Sequence, residues 1–156
     1  MSSETLKAVL GIALVVGFIV IIVLCVMADK NANKKFMKKI ADTYKIKEKS
    51  GNMVLTTNNE IMFSLVSGTL NGYKLFRLED IAYVGFYHRG TEKTFSFLDE
   101  NKKAMKGEYL TPSKKPLAQK KMAAFPTNSA EFDQIYDFIK NHKSDVVKIV
   151  NGQISE

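Results

Sequence analysis

The chain has 156 residues, a formal net charge of +7 and one cysteine, with 46% apolar and 25% charged residues. Length and apolar content fit one ordinary folded domain with a further segment, and they exclude a disordered or disulfide-stapled chain. The basic excess points to acidic partners, whether lipid, protein or nucleic acid.

Ala8 to Ala28 (AVLGIALVVGFIVIIVLCVMA) is a run of 21 residues without charge, amide, hydroxyl or proline. As a helix it covers about 31 Å, the thickness of a bilayer's hydrocarbon core. In lipid such a helix satisfies every backbone N–H and C=O within the segment. The run predicts a single transmembrane pass over 8–28, preceded by a polar extracytoplasmic tail over 1–7. Val26-Met27-Ala28 has the small outer residues of a signal-peptidase site. The apolar run is too long for a signal peptide, however, and Lys7 and the α-amine ahead of it are offset by Glu4. A retained anchor is therefore expected. Lys30, Lys34, Lys35, Lys38 and Lys39 follow the run closely, and lysine excess marks the cytoplasmic flank. The expected topology is N-terminus out, C-terminal domain cytoplasmic, at the cell (plasma) membrane. Ala13 and Gly17 form a small-xxx-small pair, a candidate helix–helix face, although small residues are common in membrane helices. Cys25 lies inside the apolar run, which fits a reducing compartment for the domain.

Residues 29–43 are a basic juxtamembrane linker or helix. Phe36, Met37, Ile40 and Tyr44 recur at helical spacing between lysines, the pattern of a short amphipathic helix. Each lysine near an anionic surface contributes about 1 kcal/mol. Lys34, Lys35, Lys38 and Lys39 are thus candidate lipid or partner contacts.

From Tyr44 the texture changes. Residues 44–156 carry short β-branched and aromatic runs between turn signals: Tyr44–Lys49, Met53–Thr57, Ile61–Val66, Tyr73–Leu78, Ile81–Tyr87 and Thr94–Leu98. The turns are Ser50-Gly51-Asn52, Asn58-Asn59, Ser67-Gly68 with Asn71-Gly72, His88-Arg89-Gly90-Thr91 and Asp99 to Lys102. Met105–Leu110 is a candidate seventh strand. Pro112 and Pro116 then predict an exposed loop through about Gln119, with Lys121–Phe125 returning to the sheet. The pattern is mainly β, an antiparallel meander of about seven strands closing into a small barrel or sandwich. One helix follows. Asn128 is its N-cap with Glu131 three residues on, and Phe132, Ile135, Tyr136 and Ile139 make its buried stripe. Val146–Val150 reads equally as strand or helical turn.

A small barrel ending in one helix resembles the pleckstrin-homology (PH) superfold. The stretch Phe76-Arg77-Leu78-Glu79-Asp80-Ile81, with Ala82-Tyr83-Val84 after it, is similar to a turn used between two strands by bacterial PH-like domains. The strand end Leu55-Thr56-Thr57-Asn58 and the helix after Thr127-Asn128-Ser129 lie in matching order, so the resemblance covers roughly 44–142. It implies a lipid headgroup or a protein segment as ligand. Phosphoinositide-binding members carry basic residues on the first two strands. Here Lys45, Lys47 and Lys49 alternate along the first, while Met53–Thr57 has none, so the headgroup pattern is incomplete.

Chemistry-bearing constellations are sparse. His88 and His142 are the histidines, and no metal-ligand spacing, phosphate loop or nucleophile elbow is present. No cofactor is expected and the enzyme reading is poor. Only Arg77 and Arg89 among the 23 basic residues are arginine, which disfavours nucleic acid. A second lysine group, Lys102, Lys103, Lys106, Lys114, Lys115, Lys120 and Lys121, flanks the irregular loop as a candidate partner or anionic-lipid surface. The expectation is a non-enzymatic, membrane-anchored interaction module, an accessory subunit of a membrane assembly. Loop Lys103–Phe125 and the open sheet face would form its docking surface. The alternative is an anionic-lipid surface sensor. If the Ala13/Gly17 face pairs helices, leucine at both positions weakens association in mild detergent; unchanged association removes that role.

Overall fold

The structure, a computed structural model, describes the backbone of residues 3–67, 70–112 and 118–155 and the side chains of 15–65, 72–112 and 120–155. One helix, α1, runs unbroken from Ser3 to Thr43. It is long and apolar enough to cross a membrane, and its apolar window is not buried against the rest of the chain. Residues 3–7, expected as part of a polar tail, are its first turns, and the basic segment 29–43 continues it without interruption. Nothing between Asp29 and Thr43 breaks a helix, since the stretch holds neither proline nor glycine.

Among the described residues ten strands form two five-stranded sheets. The first has β1 (Ile46–Ser50), β2 (Met53–Thr56), β3 (Glu60–Ser67), β4 (Leu70–Arg77) and β7 (Glu108–Leu110) in that order. The second has the order β10 (Gln153–Ser155), β9 (Val147–Val150), β5 (Tyr83–Arg89), β6 (Glu92–Leu98) and β8 (Phe125–Pro126). Helix α2 (Ser129–His142) joins β8 to β9. The sheets do not close into a barrel. Nor is the second a pure antiparallel meander, because β9 pairs in parallel with β5.

The two faces of the first sheet pack differently. Met53, Leu55, Ile61, Phe63 and Phe76 turn inward to a core shared with Val84, Phe95, Phe97, Phe125 and the α2 residues Phe132, Ile135, Phe138 and Ile139. The rings meet edge-on or tilted, with Phe63 to Phe95 at 5.0 Å and Phe76 to Phe97 at 4.9 Å, as aromatic quadrupoles prefer. Val54, Met62 and Leu75 turn outward, where α1 covers them with Ile40, flanked by Phe36, Tyr44, Tyr73 and Leu110. Phe36 stacks on Tyr73 at 6.3 Å, and the Tyr73 hydroxyl donates to Met37 Sδ at 3.6 Å. The outer face, expected to be open, is thus occupied by the continuation of the apolar helix.

The α2 cap matches the sequence pattern: Asn128 Oδ1 accepts from the Glu131 amide at 2.9 Å. Two turn expectations are corrected. Asn71-Gly72 lies within β4, opposite Val66 and Leu65, and the reversal falls between Ser67 and Leu70. Gly72 serves close approach instead, since a Cβ there would meet the Tyr109 ring at 3.0 Å. The Asn-Gly pair that does turn a hairpin is Asn151-Gly152, with φ of 49° and 84°, between β9 and β10. The undecided Val146–Val150 is accordingly a strand. His88 and Arg89, expected in a turn, end β5, and Met105–Leu110 shortens to the three residues of β7.

Gly107 precedes β7 at φ 62°, and a Cβ on it would lie 2.7 Å from the Phe76 ring and 2.8 Å from the Leu75 carbonyl oxygen. Gly107→Ala is expected to lower stability by about 1–3 kcal/mol through left-handed strain and that collision. Ile40→Ala should cost about 2–5 kcal/mol as a large-to-small change in a buried cluster. Thermal unfolding of the full chain in detergent, followed by near-ultraviolet dichroism, reads both; a shift in neither would refute this packing.

Candidate functional site

Helix α1 gives the first sheet a direction. Phe36 meets Tyr73 near the start of β4. At the other end Tyr44 lies near Glu60, which pairs across β3–β4 with Arg77; burial first, then the charges of Glu108 and Glu60, raises the Tyr44 phenol above its usual range. One end of the sheet therefore lies towards the apolar segment and the other away from it.

At the far end is a cleft of about 450 Å³, lined by Lys47, Leu55, Asn58, Asn59, Glu60, Arg77, Leu78, Glu79, His142 and Lys143. Each wall has a local cause. A β-bulge between Ile46 and Glu48 leaves Lys47 as the extra residue of β1. The β2–β3 turn is held by buried Thr56, whose Oγ1 accepts from the amides of Asn58 at 3.3 Å and Glu60 at 3.2 Å. Asn59 takes φ 59°, which asparagine tolerates, and its carbonyl accepts from the Leu78 amide at 3.0 Å. A 3-10 turn over Leu78–Asp80 follows β4, and Arg77 pairs there with Glu79 and with Asp80 at 3.6 Å.

The last turn of α2 supplies His142 and Lys143. His142 Nε2 lies 3.2 Å from Glu48 Oε2, yet the approach forms no hydrogen bond and the buried nitrogen has no other partner. Lys143 Nζ is 2.8 Å from Asp145 Oδ2. That contact, helped by the residue's own backbone hydrogen bond, lowers the Asp145 carboxyl below its usual value. The cleft thus presents amides, charges of both signs and one imidazole whose Nε2 is buried. Its lining has no hydroxyl or thiol nucleophile. Among the described residues no group of three or more His, Cys, Asp or Glu could hold a metal ion.

The predicted lysines fall into separate places. Lys34, Lys35, Lys38 and Lys39 are exposed along α1. Lys45, Lys47 and Lys49 are exposed but do not share a face. The Lys45 carbonyl bonds to Thr57 and Lys49 pairs with Val54, positions of opposite parity, because the bulge at Lys47 shifts the alternation. Lys102 and Lys103 sit at the Asp99 turn, whose Oδ1 accepts from the amides of Asn101 and Lys103 at 3.0 and 2.9 Å. Lys102 Nζ lies 5.7 Å from the Tyr83 ring. Lys106, Lys120 and Lys121 are exposed, while Lys114 and Lys115 lie outside the described residues. Gly17 has nothing within 4 Å of an added Cβ, and the side chain of Ala13 lies outside the described residues.

One functional-looking lysine escapes sequence reasoning. Lys74 of β4 is fully buried, on the same face as Phe63 and Phe76. Its Nζ donates to the carbonyls of Lys106 at 2.6 Å and Lys120 at 2.9 Å and lies 5.6 Å from the Tyr109 ring. It therefore ties both ends of the irregular loop to the sheet. Alternation along β4 places position 74 inward, but nothing in the sequence names its carbonyl partners. No family model matches the chain, and no curated protein or solved structure matches it.

Desolvation, then the Lys106 charge, lowers the Lys74 ammonium below its usual range. Below that folded value Lys74 binds a proton in both states. Between it and 10.5 the unfolded chain binds more, so this residue's contribution to stability rises with pH. Lys74→Met should destabilise by about 1–3 kcal/mol, leaving two carbonyls unpaired, and should remove that alkaline rise. Denaturant melts at pH 7 and at a pH approaching 10 test both; an unchanged pH slope would contradict this role.

Proposed function

We propose that the chain is a membrane-anchored, non-enzymatic interaction module: a single-pass helix presenting a PH-like β domain to a protein partner, as an accessory subunit of a membrane assembly. The observation that carries the reading is the polar cleft at the end of the sheet farthest from the apolar segment. It combines amide, cationic and acidic groups at fixed positions, a composition suited to holding a polar peptide segment. The continuous packing of α1 on the first sheet supports it, because such an anchor presents the cleft at a set height above the bilayer. The lysines after Ala28 favour the cytoplasmic side of the plasma membrane for the domain, with the N-terminus outside. The PH-like assignment rests on the order of strands followed by α2; β9 and β10 are additions to that pattern. The exposed lysines of α1 also favour anionic lipid as a second, separate ligand.

The test uses the full chain, purified in mild detergent and crosslinked. A stoichiometric protein partner is expected, with crosslinks at Lys47 and Lys143. Lys47→Glu with Asn58→Ala should lower its recovery several-fold while the melting temperature holds. A lone monomer, or a partner indifferent to the double variant, overturns the reading.

A further inference from the structure

A second cleft, of about 660 Å³, lies between α1 and β7. Its helix wall holds Ala32, Lys35, Phe36, Lys39 and Ile40, and its sheet wall holds Tyr109, Leu110 and Pro112. We infer that this cleft binds the headgroup of an anionic phospholipid of the bilayer that α1 enters, with its phosphate on Lys35 and Lys39 and its glycerol backbone towards the apolar wall of Phe36, Leu110 and Pro112. The inference rests on the membrane reading of α1 but not on the partner cleft.

Position argues for it first. At a rise of about 1.5 Å per residue, Ala32 lies roughly 6 Å beyond Ala28 and Lys35 roughly 10 Å beyond it. The polar headgroup layer extends about 5–8 Å past the hydrocarbon on each side. The near end of the cleft thus starts at phosphate depth. Lys39 lies roughly 16 Å beyond Ala28, and both lysine stems lean back towards the helix N-terminus, Lys35 to the phosphate itself and Lys39 to the outer headgroup. The register of the sheet agrees. Tyr73 stacks on Phe36 and pairs with Leu110, while Leu75 pairs with Glu108. Strand β7 therefore runs from Glu108, near Tyr44, towards the apolar end of α1, and Leu110 and Pro112 are its membrane-side residues.

Charge selects the ligand. Lys35 and Lys39 are one turn apart on α1, both exposed, and both line the cleft. The acid on the opposite wall is Glu108, at the far end beside Tyr44. The cleft is thus cationic along α1 and acidic where β7 begins, with its apolar wall on the side of the apolar run. A soluble phosphate would leave Phe36, Leu110 and Pro112 uncovered, and a zwitterionic lipid would gain less from the two lysines.

The full chain is reconstituted in nanodiscs of phosphatidylcholine containing one-fifth phosphatidylglycerol, released into mild detergent and analysed for retained lipid by native mass spectrometry. One phosphatidylglycerol per chain is expected. The Lys35→Ala/Lys39→Ala variant should lose it about tenfold, while Lys45→Ala/Lys49→Ala, which removes equal charge elsewhere on the exposed surface, should keep it. Near-ultraviolet dichroism establishes that both variants retain the fold. Equal loss in both variants, or equal retention of phosphatidylcholine, overturns the site while leaving the membrane reading intact. Failure of the chain to enter nanodiscs would overturn the membrane reading itself.

Discussion

The structure depends on the contact between the last turns of α1 and the outer face of the first sheet. Ile40 sits over Val54, Met62 and Leu75, with Phe36 and Tyr44 on either side. Burying one such aliphatic side chain stabilises by about 1.5–3 kcal/mol. The contact also settles an oddity of β2, whose residues Met53 to Thr56 are all buried. A strand with both faces covered needs apolar residues at successive positions, and the one hydroxyl there, Thr56, is spent on the turn that follows. Without α1 the same strand would show Val54 to water.

Inside, the protein solves a different problem. Its core is built largely of phenylalanines, whose tilted contacts fix the spacing of the two sheets. At the rim of that core an ammonium replaces the next ring. Lys74 closes the interior with two charge-assisted hydrogen bonds to carbonyls that would otherwise face apolar surroundings. A structural cation of this kind is held by geometry and not by a carboxylate, so its worth lies in satisfying backbone oxygens.

Much of the architecture was legible because it follows from local rules. The apolar run of α1, the strand periodicity over 46–98 and the Asn128 cap each depend on residues near in sequence. What escaped depends on distant partners. The pair Asn71-Gly72 has the composition of a hairpin turn, yet Tyr109, far along the chain, needs the missing Cβ at Gly72 and keeps the pair in the strand. The lysines of β1 alternate perfectly in sequence, and one bulge cancels the common face. At the cleft beside the end of α2, His142 and Lys143 adjoin residues distant in sequence. Their meeting with Lys47 and Asn58 is a product of tertiary folding. The lysines of α1 could be read from topology alone, but the wall opposite them could not, because β7 is three residues long and follows an irregular stretch.

The parallel pairing of β9 with β5 bears on how the chain is made. Val84 lies opposite Lys148, so the inner edge of β5 stays unpaired until a strand far downstream of it in the chain has been made. Until then β5 carries an unpaired row of amides and carbonyls beside a phenylalanine-rich face, the kind of edge that recruits other chains. Non-local closure of this sort is slow compared with hairpin formation. Helix α1 and the first sheet pack on each other without β9, so that half of the domain need not wait for it.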